Sequence, residues 1–360
     1  MKKDKILSLQ SLRGVAAISI AFFHLNNNGY ISYFFENAWL AVDFFFVLSG
    51  FVISLNYSEK ISSINTFYLY QKQRFFRLYP LHFLMLMIFL GIEFLKLFVE
   101  IRFGLVANNR AFFNNNTTAF VANLFMVHNL VIPQPTFNYP SWSISAEFFT
   151  YAFFGIFILI TKKSKLFFYF IALVLIFILG YVLFFTGFES DNITGPARCV
   201  YSFFIGVLTQ RSYVFFNKSN IKILSTPSVL MFLTIIFLTT VFGHQNNGFI
   251  VFMPFVFALT ILLLVLTEDK AFIVRLLNNK HLVYLGTISY GIYLIHALVW
   301  WFSSMFLRFV FQVPVSVDLG GKATAVIKNI LLSDLISLVG VVIVVFLAHI
   351  SHKYLEKRFI

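Results

Sequence analysis

The chain has 360 residues, of which 59% are hydrophobic and only 11% charged, with a mean hydropathy of +0.85. Soluble domains carry about 25% charged residues, so a soluble fold is excluded and the sequence reads as a polytopic, all-α integral membrane protein. The single cysteine, Cys199, allows no intramolecular disulfide, and the net charge of +13 is spread as membrane topology demands rather than as a nucleic-acid footprint.

Lys2, Lys3 and Lys5 precede the first apolar run, as in a signal peptide. Arg13 interrupts that run and no small-residue cleavage site follows, which predicts an uncleaved first span. Apolar stretches of about 20 residues predict spans near 7–25, 38–56, 80–101, 141–161, 166–186, 196–210, 226–243, 249–267, 284–311 and 328–350. That makes about ten, with both termini on one side. The stretch 118–131 is short and holds Asn123, His128 and Asn129. Counting lysine and arginine over the loops decides its place. Nineteen fall on the side of the termini, and four (Arg102, Arg110, Lys322 and Lys328) fall on the other. This asymmetry puts both termini in the cytoplasm and makes 118–131 a re-entrant or surface segment of the outer loop 102–140. Nothing divides the chain, so residues 1–360 read as a single transmembrane domain.

Ionisable residues inside spans are costly and are candidates for function. Arg13 and His24 are eleven residues apart. On a helix they share a face, roughly 16 Å apart along the axis. They can line a passage through the bilayer; alternatively Arg13 snorkels to the interface and His24 is a satisfied polar residue. The predicted topology carries His24, Asp43 and Glu147 to similar depth near the outer face on three helices. A histidine with two carboxylates suits general acid–base chemistry, although Asp43 and Glu147 also fit as first-turn residues set against a helix dipole.

On the cytoplasmic side, Arg74 and Arg77 stand three apart on a predicted interfacial helix, flanked by Lys72. Two adjacent guanidiniums make a phosphate clamp, or an ordinary positive-inside anchor. No glycine-rich phosphate loop occurs. In the ninth predicted span Tyr290, Tyr293, His296 and Trp300 form a polar-aromatic stripe, which reads as a substrate channel lining or as a helix–helix interface. Glu93 and Lys96 are spaced as an internal ion pair. His82, His128 and His349 have no evident partners, and the histidines show no metal-ligand spacing, so no metal is expected.

Five pieces in order carry a family resemblance: Leu12–His24, Ala41–Phe51, Arg74–Pro80, Ser141–Tyr151 and Ile288–His296. The chain resembles the membrane-bound acyltransferase-3 family, whose bacterial members O-acylate surface polysaccharides, lipopolysaccharide or related glycans. The ending His352–Phe359 is also similar, with Arg358 where the family often has proline. The resemblance implies ten spans with cytoplasmic ends. It implies an Arg-x10-His motif at Arg13 and His24, with His24 catalytic, and an Arg-x-x-Arg motif at Arg74 and Arg77 that serves acyl-CoA. It implies a functional acid at Glu147. The extra soluble domain of some members is not expected here.

The reading is thus an O-acyltransferase of the bacterial cytoplasmic (inner) membrane. It moves an acyl group, acetyl first among them, from cytoplasmic acetyl-CoA or another acyl-CoA to a hydroxyl of a surface polysaccharide or lipid-linked sugar. No permanently bound cofactor is expected. His24, Asp43 and Glu147 are the candidate catalytic residues, and Arg13, Arg74 and Arg77 the donor-binding ones. Trp142, Ser143, Tyr290, Tyr293 and His296 are the candidates for substrate binding. The rival reading is a proton-coupled transporter or flippase for a glycan or organic acid, which the composition permits but which lacks an inverted repeat and paired broken helices.

Overall fold

The computed structural model describes residues 3–25, 28–107, 109–188, 194–218, 248–317 and 323–359. The long helices are α1 (Lys3–Phe23), α3 (Ala41–Tyr57), α4 (Ile64–Phe103), α7 (Trp142–Thr161), α8 (Lys165–Thr186), α9 (Thr194–Lys218), α10 (Met253–Leu266), α13 (Ser289–Phe309) and α14 (Ile330–Tyr354). Between them lie the short helices α2 (Tyr30–Phe34), α5 (Thr117–Leu124), α6 (His128–Val131), α11 (Phe272–Leu277) and α12 (Lys280–Thr287). The predicted span 226–243 lies outside the described residues. One departure from all-α structure is an antiparallel pair of three-residue strands, Val315–Val317 with Ala323–Ala325, between α13 and α14.

Among the described residues, six helices are long and apolar enough to cross a membrane: Ile6–Phe23, Ala38–Tyr57, Tyr139–Thr161, Lys165–Thr186, Ser289–Phe309 and Ile330–Arg358. Burial separates them into two classes. Over half of four spans is buried inside the protein, but only 22% of the α8 span and 28% of the α14 span. These two therefore stand at the periphery, and their exposed Phe170, Phe177, Leu335 and Val342 suit a lipid environment. Helices α4 and α9 have the length to cross but carry charges. Two of the buried charges are paired within the protein, Glu93 with Lys96 at 2.9 Å and Arg198 with Asp43 at 2.6 Å.

The centre of the bundle is the crossing of α3 and α9, and two glycines set how close it is. A Cβ at Gly50 would lie 1.9 Å from the Phe203 carbonyl oxygen, and one at Gly206 would lie 1.9 Å from that of Val47. The two backbones touch directly, which maximises dispersion contacts where lipid removes any hydrophobic drive between helices. Phe46, Phe51, Phe203 and Phe204 fill the surrounding space.

Helix α4 is one continuous element of 40 residues, about 60 Å long. The sequence suggests an interfacial helix ending at Pro80 and a span beginning there; instead the helix runs through the proline. A capping box between Ser63 and Thr66 starts it, and left-handed Gly104 (φ +67°) ends it. Beside the proline, Tyr290 donates to the Leu78 carbonyl at 2.5 Å, the kind of neighbouring contact that makes proline tolerable in an apolar helix.

The stretch 118–131 does not cross. Helix α5 has 8 residues and α6 has 4, far short of a hydrocarbon core about 30 Å thick. Their elbow is buried and polar. His82 of α4 bonds the Asn123 carbonyl at 2.9 Å, and its ring stacks on His128 at 5.6 Å. His128 in turn meets the Ser141 hydroxyl at 3.2 Å. These two histidines, without evident partners in the sequence, tie this segment to α4 and to the turn that leads into α7. His349 likewise pairs with Tyr284. Further out, Glu93 accepts from Lys96, from the Phe112 amide at 2.7 Å and from Asn115 at 2.8 Å, so the expected ion pair also anchors the outer loop.

The α3–α9 crossing yields a matched pair of expectations. Gly206→Ala forces backbone apart at the bundle centre and should lower the melting temperature in detergent or abolish folded yield. Gly91→Ala, whose Cβ meets nothing within 4 Å, should leave the melting temperature unchanged or raise it. Scanning fluorimetry on both variants decides; equal behaviour would contradict this packing.

Candidate active site

An internal cavity of about 150 Å³ opens between α1, α3, α4, α7 and α13. Three guanidiniums line it: Arg13 from α1, and Arg74 and Arg77 from one face of α4. Glu147 of α7 lines it as well. The Tyr151 hydroxyl, one turn along α7, donates to Glu147 at 2.5 Å, and Ser49 of α3 lies 2.7 Å from both groups. Aromatic rings hold the clamp. Arg74 lies over Tyr57 at 5.1 Å and donates to its hydroxyl at 2.9 Å. Arg77 lies over Tyr290 at 5.5 Å. Cation–π contacts of this kind fix long flexible side chains before any ligand arrives. Three guanidiniums against one carboxylate leave the wall net positive, which suits a polyanion such as a chain of phosphates. Lys72 is exposed and takes no part in the lining.

The opposite end of the cavity is closed by Tyr293 and Ser143, whose hydroxyls are 2.8 Å apart. Behind Tyr293, 5.9 Å between ring centres, stands His296. His296 is completely buried and stacks on His24 at 4.9 Å and 29°. Tyr139 packs against both rings, 5.0 Å from His24 and 6.0 Å from His296. Both imidazoles turn Nδ1 toward the carbonyl one helical turn back, His24 to Ile20 at 3.0 Å and His296 to Ile292 at 3.3 Å. A carbonyl can only accept, so Nδ1 carries the proton and Nε2 is the basic nitrogen in each ring. Trp300, from the same stripe as Tyr293 and His296, donates to the Ala21 carbonyl at 2.8 Å and locks α13 against α1 beside this pair.

The expected cluster of His24, Asp43 and Glu147 does not form. Asp43 is fully buried and engaged by Arg198 through Nε at 2.9 and 3.0 Å and Nη2 at 2.6 Å, with Ser202 adding a bond at 3.1 Å. Its carboxylate compensates a buried cation and is not aimed at His24. Glu147 is the sixth residue of α7 and lines the cavity together with Arg13, whereas His24 is not in that lining. Trp142 is also displaced from its expected role. Its ring lies against the Arg198 guanidinium at 5.5 Å and meets Phe46 edge-on at 6.1 Å, and it is not part of the cavity lining. Ser143, Tyr290 and Tyr293 do line the cavity, and His296 sits against His24.

Four residues escaped the sequence reading. Ser49 and Tyr151 lie inside motifs that were recognised, and their hydroxyls were the available signal. Arg198 was a lone charge within a predicted span, and such a charge needs a partner. Glu356, 3.5 Å from Arg77, lies in the terminal segment and gave no signal beyond its charge.

A family model described as an acyltransferase domain, acyltransferase-3, matches residues 6–350. A putative acetyltransferase of Acidianus two-tailed virus is 25% identical over 312 residues, covering 83% of this chain and 84% of its own length. The acyltransferase MdmB of Streptomyces mycarofaciens is 33% identical over 128 residues, 34% of this chain and 29% of its own. Protein 2 in the picA locus of Rhizobium radiobacter is 38% identical over 84 residues, 23% of this chain and 43% of its own. No solved structure matches the chain.

The Asp43–Arg198 pair separates a structural role from a chemical one. Asp43→Ala leaves Arg198 buried without its counter-charge and should cost about 3–5 kcal/mol of stability. The double variant Asp43→Leu/Arg198→Met should recover most of that loss. Melting temperatures across the two variants measure the difference; an Asp43→Ala protein of wild-type stability would contradict the assignment.

Proposed function

The chain belongs to the acyltransferase-3 family and is a multi-pass membrane acyltransferase, and from that membership we propose that it moves an acetyl group from cytoplasmic acetyl-CoA to a hydroxyl of a surface glycan or its lipid-linked precursor. The host membrane in this reading is the bacterial cytoplasmic membrane. The chain crosses it about ten times, α4 and α9 among the spans, with both termini in the cytoplasm. The observation that carries the proposal is the single line of polar groups from the guanidiniums through Tyr293 and Ser143 to the stacked histidines.

In this account Arg74 and Arg77 hold the donor's phosphates and Arg13 adds charge deeper in the cavity. Glu147 offsets part of the charge of the three guanidiniums and holds the Ser49 and Tyr151 hydroxyls on the cavity wall. The pantetheine arm passes Tyr290 and Tyr293, so that the thioester reaches the level of His24. Nε2 of His24 takes the proton from the acceptor hydroxyl as its oxygen attacks the thioester carbon. The carbon–sulfur bond breaks, and the proton passes to the departing thiolate. A variant of the same chemistry lets Nε2 attack first and hold the acetyl group as an acyl-imidazole, with free CoA leaving before the sugar arrives. The "acetyltransferase" in the name of the viral relative supports acetyl as the first acyl group to test.

Membranes containing the chain, supplied with radiolabelled acetyl-CoA and cell-envelope glycan, should transfer label to the glycan. His24→Ala should reduce transfer by about 10²–10⁴-fold, the usual contribution of a general base. Arg74→Ala and Arg77→Ala should each weaken CoA binding by roughly ten- to a hundredfold, the worth of a charge-assisted hydrogen bond. Label transfer that persists in His24→Ala would sink the assignment of the base. Absence of transfer with several acyl donors, in folded wild type, would favour a transporter instead.

A further inference from the structure

We infer that Glu356 is a positioning residue for the donor clamp, a buried carboxylate at the end of the chain that holds the Arg77 guanidinium toward the cavity. This rests on the reading of Arg77 as a donor-phosphate ligand.

Glu356 begins the last helical turn, Glu356–Arg358, just beyond α14, and is 4% exposed. A carboxylate removed from water costs several kcal/mol unless cations and donors surround it. Its Oε2 lies 3.5 Å from Nη1 of Arg77 and 3.9 Å from Nδ1 of His352, and its Oε1 accepts from Ser351 at 3.3 Å. Arg77 is the partner whose charge is permanent. The approach also depends on a missing side chain, since a Cβ at Gly291 would sit 3.2 Å from Oε1. A second contact fastens the same segment to the same stretch of α4: Phe359 stacks on Phe76 at 6.2 Å with rings nearly parallel. Residues 356 and 359 therefore grip residues 77 and 76.

The geometry explains why Arg77 needs such help. Arg74 is fixed by a hydrogen bond to Tyr57 as well as by its ring. Arg77 lies over the Tyr290 ring, a contact with a π face, and the Tyr290 hydroxyl is turned to donate to the Leu78 carbonyl. Glu356 supplies a buried counter-charge on one side of the guanidinium, 3.5 Å from Nη1, and so biases where it points. It sits outside the cavity lining, whereas Glu147 lies on it, so it steadies Arg77 without standing where a phosphate binds. A guanidinium fixed this way loses little rotamer freedom when the ligand arrives.

The test uses the full chain in detergent or nanodiscs, with CoA binding by calorimetry and acetyl-transfer kinetics as readouts. Glu356→Gln keeps the shape and removes the charge; Glu356→Asp keeps the charge and withdraws it by one methylene. Glu356→Gln should raise the Kd for CoA and the KM for acetyl-CoA on the order of tenfold, the usual cost of losing a ligand's supporting carboxylate, with kcat within about twofold. Glu356→Asp should fall between it and wild type. In an Arg77→Ala background, Glu356→Gln should add little further loss, since both act through one group. Wild-type CoA affinity in Glu356→Gln, additive losses in the double variant, or a fall in kcat at unchanged KM would each overturn the inference. Should Glu356→Gln fail to fold, the Glu356→Asp series alone decides, with unchanged KM as the contrary result. Wild type that binds no CoA would overturn the donor reading itself, and the inference with it.

Discussion

A charge inside an apolar bundle must be matched, and the placement of this chain's few buried charges organises everything else. Arg198 and Asp43 neutralise one another beside the α3–α9 crossing, where two glycines bring the backbones into contact. That pair fixes α9 against α3, and α3 in turn presents Ser49 to the cavity. Trp39, Trp142 and Phe188 surround the Arg198 guanidinium and keep the pair dry. Because Asp43 is wholly used in this way, the chemistry has to be sought elsewhere.

It lies where charges are left unbalanced. Arg13, Arg74 and Arg77 converge on one cavity whose lining holds a single carboxylate, Glu147, with Glu356 behind Arg77, and the rings of Tyr57 and Tyr290 hold Arg74 and Arg77 in place. Such an arrangement stays positive without a ligand because the bundle has already met the cost of assembling it. The same α13 that carries Tyr290 and Tyr293 along the cavity carries His296 onto His24, one helical face serving both ends of the site. A bonded Nδ1 in both histidines leaves two basic nitrogens at the far end, which in the proposed function is where the acyl group changes hands.

Much of this was legible in the sequence, and the limits have physical causes. Hydropathy and charge asymmetry locate helices well because the bilayer imposes length and sidedness on each segment separately. Arg13, Arg74, Arg77, Glu147, Tyr290 and Tyr293 were all singled out, and all line one cavity. Depth along an axis, however, says nothing of azimuth. Asp43 points to α9, and its partner is 155 residues away, a pairing no local pattern encodes. Glu147 turns into the cavity that Arg13 lines and is bonded there by Ser49 and Tyr151, partners that depth alone does not name. Glu356 could not be assigned because its role depends on a fold-back that packs Phe359 onto Phe76. Charge alone makes the stretch 118–131 a re-entrant or surface segment, and only the fold shows that its His128 packs on His82 of α4.

The central claim is that one continuous path joins the arginine clamp to His24. The most direct measurement is a cryo-electron microscopy structure of the chain in nanodiscs with a non-hydrolysable thioether analogue of acetyl-CoA. The account predicts phosphates on Arg74 and Arg77, a pantetheine arm past Tyr293, and the acyl carbon within about 3–4 Å of where a hydroxyl poised on His24 would attack. An analogue whose phosphates bind away from both arginines, or whose acyl end stops short of Tyr293 with the path closed, would contradict it.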